Sequence, residues 1–165
     1  MRQSVRGMLI GAAALIASSG IAFAGEQTLE FKLVVKSLDP MVLQAANVEG
    51  QSMMASKAFG VAFFKDGRVA VKDFISAGDL KNGLGPVRGY STYTFEDGSS
   101  ITASYIGEFK ATGAHGDYTI LSGTGMYDKA TGTGSWDAIP TKWNDGAALL
   151  NGQFHVKTPD KAAGQ

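Results

Sequence analysis

Asp73 is the carboxylate best placed to do chemistry. In Val69-Ala70-Val71-Lys72-Asp73-Phe74-Ile75 strict alternation puts it on one face with Val69, Val71 and Ile75. An apolar surrounding pushes a carboxyl group toward its neutral form and suits it to work as a general acid or base. The Asp66-Gly67 pair fits a two-residue hairpin turn, which would set Lys65 against Arg68, Phe64 against Val69, Ala62 against Val71, Gly60 against Asp73 and Ala58 against Ile75. Small residues opposite the carboxylate leave room for a ligand, so Gly60 and Phe64 are candidate ligand-binding residues. The alternative is a structural carboxylate paired with Arg88, Lys72 or a strand-end amide. The same turn rule at Asp97-Gly98 sets Tyr90 against Tyr105, on a face with Thr92, Thr94, Ile101 and Ala103. Tyr105 is then a second candidate catalytic group and Tyr90 a ligand contact, with core packing as the other reading. Trp136, preceded by Gly132 and Gly134, is a candidate cavity wall.

Other chemistries find little support. His115 lies among glycines and His155 shares a strand face with Asn151 and Gln153, positions that suit solvated side chains. Met41, Met53 and Met54 could hold a soft metal, but a Met-rich lining of an apolar opening is the simpler account. There is no cysteine, which removes thiol catalysis, thiolate metal sites and a disulfide framework. Gly123-x-Gly125 lacks the third glycine and following helix of a dinucleotide site, and no P-loop, zinc-protease or nucleophile-elbow motif occurs. No cofactor or metal is expected.

The elements that must position these residues are strands. Residues 1–24 read as a cleaved signal peptide: Arg2 and Arg6, an apolar core over Met8–Ile16, and Ala22-Phe23-Ala24 before Gly25. A periplasmic or secreted protein follows, with no transmembrane segment in the mature chain. Removing Arg2 and Arg6 leaves thirteen Lys and Arg against fifteen Asp and Glu, a formal charge of −2 without a basic cluster, which argues against nucleic acid. Residues 25–158 form one all-β domain and 159–165 a loose polar tail. Thr28–Lys36 alternates with Leu29, Phe31, Leu33 and Val35 on one face. Two Asp-Gly hairpins follow, then strands near 117–122, 130–137 and 148–157. Asp39–Ser56 is the least regular stretch, with room for a turn or two of helix between Pro40 and Gly50. Both faces of the first hairpin are apolar, so one should line a barrel and the other should be covered, by a neighbouring segment or by a second subunit through Phe59, Val61, Phe63 and Phe74 or the alternate set with Val69 and Val71. A homo-oligomer is expected.

The run Val87–Trp136 resembles the second half of the allene oxide cyclase barrel: an aromatic strand, an Asp-containing turn, a glycine-bearing strand, then a glycine-rich segment with a central aromatic residue. Gly123, Thr124, Gly125, Tyr127, Ala130 and Gly132 also match the G-T-G-x-F-x-x-A-x-G segment of dirigent proteins, which share that barrel. The resemblance implies an eight-stranded antiparallel β-barrel, often oligomeric, with an apolar cavity and no cofactor. It further implies cyclisation of a reactive substrate or stereochemical guidance of a coupling; a non-catalytic carrier or sequestering module for an apolar ligand in the cell envelope is the alternative. Plant cyclases carry a catalytic Glu and an Asn in a Tyr-Glu-Ile-Asn context on the first strand, where this chain has Phe31-Lys32-Leu33-Val34.

Overall fold

Alternating apolar residues separated by turn residues build the expected barrel. A computed structural model describes residues 25–143 and 146–159. It contains β1 (Gly25–Gln44), β2 (Gln51–Phe64), β3 (Val69–Lys81), β4 (Gly85–Phe95), β5 (Ser100–Lys110), β6 (Gly113–Thr124), β7 (Thr131–Ile139) and β8 (Ala147–Thr158). Each strand pairs antiparallel with the next and β8 closes on β1. The expected signal peptide, residues 1–24, and all but the first residue of the expected tail, 159–165, lie outside the described residues.

Leu29, Phe31 and Leu33 point inward on β1, as their alternation predicts. The irregular stretch is a correction: it is strand on both sides of a turn, with no helix. Pro40 is accommodated by a register irregularity between Leu38 and Met41, where Asp39 adopts φ +48°. Because β1 pairs with β8 only as far as Lys36, that proline falls on a free edge, where it removes no ladder hydrogen bond that a second neighbour would need.

Both hairpin registers differ from expectation by one residue, for one reason. A type I′ turn needs positive φ at both central positions, yet only Gly67 (+92°) and Gly98 (+81°) have it, while Asp66 and Asp97 do not. Phe64 N donates to Arg68 O at 2.9 Å and Gly67 N to Phe64 O at 3.1 Å. Phe95, Ser99 and Gly98 repeat the pattern at 2.9 and 3.0 Å. These are three-residue loops, Lys65-Asp66-Gly67 and Glu96-Asp97-Gly98, each with a glycine in the last position. Asp66 and Asp97 brace them by accepting from the backbone N–H two residues on. Phe63 therefore pairs with Val69, Gly60 with Lys72 and Phe59 with Asp73. Since side-chain direction has period two, the one-residue slip exchanges inside and outside along β3.

The interior divides into two halves. At the end carrying those loops, Phe31 packs at 5.1–5.5 Å against Phe64, Tyr93 and Phe154, and Phe64 continues to Phe95 at 5.0 Å. The turn Gly125–Tyr127 covers this end. Tyr127 is fully buried on Phe95, and the Arg68 guanidinium, 5.1 Å from the Phe95 ring centre, donates to the Tyr127 hydroxyl. The glycine-rich segment that carried the family resemblance is thus an end cap. At the opposite end the barrel is open.

Candidate functional site

The open half holds a cavity of about 270 Å³, bounded by Val35, Met54, Ala58, Phe74, Val87, Tyr105, Phe109, Tyr118, Trp136 and Leu150, with Lys72 at its inner wall. Larger concavities lie on the outer faces of the strands; the internal one matters more for chemistry because its mainly apolar wall includes a buried amine.

Strand alternation puts Lys72 inside, between Ala70 and Phe74, and its cross-strand neighbours are Gly60 and Tyr93. Aromatic rings from β3, β4, β5 and β6 supply the surrounding wall. The side chain is 4% exposed. Its Nζ donates to Tyr118 Oη at 3.1 Å, and Tyr118 Oη is 3.0 Å from Tyr93 Oη, so an amine and two hydroxyls form one chain. The rings of Phe74, Tyr93, Tyr118 and Tyr105 stand 4.4, 5.1, 5.3 and 5.6 Å from Nζ.

No counter-charge accompanies the amine: every Asp and Glu among the described residues is exposed. Four rings can stabilise a desolvated cation by about 2 kcal/mol, whereas burying an ion without a partner costs several. Burial therefore wins and pushes Lys72 down to about 7, from an ordinary 10.5. Burial also raises Tyr93, Tyr105 and Tyr118, keeping their hydroxyls protonated. These three tyrosines, on β4, β5 and β6, are the titratable groups facing Lys72; the inward residues of β1, β2, β7 and β8 are uncharged.

Interior glycines seat the large side chains. Gly107 and Gly116 pair across β5 and β6, and a Cβ on either would lie 2.4 or 2.6 Å from the Trp136 indole, which rests over both. Gly89 lets Tyr105 cross β4 and donate to the Ile75 carbonyl at 3.1 Å.

The sequence-derived candidates separate accordingly. Tyr105 and Trp136 line the cavity, as expected, although Tyr105 pairs with Gly89 rather than Tyr90. Gly60 points inward but packs against Leu33 and Val35, beside Lys72 instead of Asp73. Phe64 is buried in the closed half, away from the cavity. Tyr90 is 56% exposed and lines a groove of about 740 Å³ on the outer wall. Asp73 is exposed on the outer wall opposite Phe59, because the three-residue loop turned its face outward. Phe74, expected among the outward oligomer residues, lines the cavity. Lys72, Tyr118 and Tyr93 were missed. The available signal was a lone lysine alternating with Ala70 and Phe74, once the loop length is read correctly.

No family model and no curated protein matches this chain. Solved structures do. The chain is similar to the pterocarpan synthase dirigent protein GePTS1, with a TM-score of 0.57 and 13% identity over 88% of this chain and 96% of that one. It is similar as well to the pterocarpan synthase dirigent protein PsPTS1, with a TM-score of 0.56 and 14% identity over 84% of this chain and 100% of that one. At these identities the likeness establishes the dirigent-type barrel fold.

Proposed function

We propose that this barrel takes an apolar small molecule into its open half and steers its reaction without a cofactor, in the manner its dirigent-like fold suggests. The observation that carries this reading is the polar chain Lys72–Tyr118–Tyr93 ordered inside an otherwise apolar cavity. A carrier needs only apolar walls and shape, whereas an amine desolvated without a counter-ion costs stability and is retained where it acts on a ligand. The ligand contacts are Lys72, Tyr105, Tyr118 and Trp136.

A titration with 4-(dimethylamino)benzonitrile as the probe, a neutral single-ring fluorophore read by its own emission, tests this reading. The probe should bind once per chain and be lost in Ala58→Phe, which fills the cavity beside Phe74. Binding unchanged by Ala58→Phe would place the ligand on the outer wall and overturn the proposal. The same reading includes export with cleavage before Gly25, which the intact mass of protein from the envelope fraction checks, and a homo-oligomer formed through the outer apolar wall.

A further inference from the structure

Lys72 is the one buried titratable group whose chemistry exceeds what binding and orientation need. We propose that Lys72 captures an apolar aldehyde or ketone as an imine, making the cavity a covalent carbonyl-binding site; this rests on the reading that the open half admits an apolar ligand.

Three features of the site carry it. Lys72 lines the cavity, and its Nζ lies 3.1 Å from the Tyr118 hydroxyl and 4.4 Å from the Phe74 ring centre, two residues that line the same cavity, so the amine stands at the wall that a bound molecule meets. All described carboxylates are exposed, so nothing inside holds the amine as a permanent cation, and at neutral pH a large fraction of it is the nucleophilic free base. Finally, Nζ makes one hydrogen bond, to a tyrosine hydroxyl that itself continues to a second hydroxyl, which is an arrangement able to pass a proton. An anionic ligand would need the charged amine, which the dry aromatic surround opposes. A cavity of about 270 Å³ has the volume of about nine waters, enough for a short aliphatic or single-ring carbonyl compound.

The step balances within the site. The Nζ lone pair forms a bond to the carbonyl carbon while the C=O π pair moves to oxygen. One N–H proton is handed to that oxygen through the Tyr118 hydroxyl, which gives a proton as it takes one, leaving a neutral carbinolamine. Transfer of the second N–H proton to the same oxygen and cleavage of the C–O bond release water and leave the C=N bond. No oxidant or reductant takes part.

The test uses the folded chain from Gly25 with hexanal and cyanoborohydride at neutral pH, followed by intact mass and peptide mapping. Hexan-1-ol displacement of the fluorescent probe serves as a separate measure of non-covalent binding. The expected result is one hexyl group per chain, on Lys72, added at least about tenfold faster than to exposed lysines such as Lys57 and Lys65. Folded Lys72→Met and Lys72→Arg should both lose the fast adduct, while hexan-1-ol binding is read on the wild type. Mapping the wild-type adduct decides the matter even where a variant folds poorly. Slow adducts spread over exposed lysines, with hexan-1-ol still displacing the probe, would overturn the imine and leave the binding reading intact. Failure of hexan-1-ol to displace the probe, with no adduct on Lys72, would overturn both.

Discussion

At the level of single residues, Lys72 ties stability to pH with a definite sign. Its folded pKa of about 7 lies below the unfolded 10.5, so between these values the unfolded chain holds a proton that the folded chain has released. Unfolding free energy should therefore rise with pH across that window, by about 1.4 kcal/mol per unit, and be level below it. Tyr93, Tyr105 and Tyr118 act oppositely: raised above 10.0, they keep protons that the unfolded chain loses, so stability should fall again at higher pH. Urea unfolding of the wild type should show a higher midpoint at about pH 9 than at about pH 7, and Lys72→Met should be both flatter and more stable at neutral pH. Equal midpoints at the two pH values would remove the case for a buried free base. Asp73 is the contrast. Exposed on the outer wall, its replacement by Asn should change neither probe binding nor melting temperature appreciably; a loss of binding would show that the outer wall takes part in ligand capture.

At the level of elements, glycines decide which aromatic residues fit. Gly107→Ala would put a Cβ 2.4 Å from the indole and 2.6 Å from the His115 carbonyl, so the backbone and Trp136 cannot both stay in place. A loss of about 1–3 kcal/mol is expected, together with a red shift of tryptophan emission as the ring is displaced toward the mouth. An unshifted spectrum at full stability would mean that the indole is not seated on β5. The same elements show what the sequence could convey. Alternation gave β1 its inward set, and the turn dipeptides and glycine-rich segment led to the barrel, because these are local signals. The register of β2–β5 was not legible from Asp-Gly alone, since that dipeptide also closes a three-residue loop with one left-handed glycine. That single residue of loop length sent Asp73 and Tyr90 outward and brought Lys72 in. Tyr105 and Trp136 do face the cavity, each lying over interior glycines, Gly89 for the one and Gly107 and Gly116 for the other.

At the level of the whole molecule, Phe59 and Phe63 remain 41% and 53% exposed on the outer wall, close to Val34 and Val71 on the neighbouring strands. A second copy covering this wall is the expected explanation. Sedimentation at micromolar concentration should give a mass above one chain, and Phe59→Glu with Phe63→Glu should reduce it to a monomer with unchanged far-ultraviolet circular dichroism. A monomeric wild type would leave the wall without a partner of its own kind. The β1–β8 seam has a different consequence. It is the one pairing between strands distant in the chain, and it sets Gly25 beside Thr158. Seven pairings can therefore form by zipping from neighbouring turns, while this one must wait for the two ends of the domain to find each other. Joining those ends by a short linker and cutting the chain at the exposed Asn82-Gly83 turn should relocate the slow closure to β3–β4 and leave the finished barrel the same. In kinetic terms the molecule is a ribbon with a clasp, and the clasp can be moved.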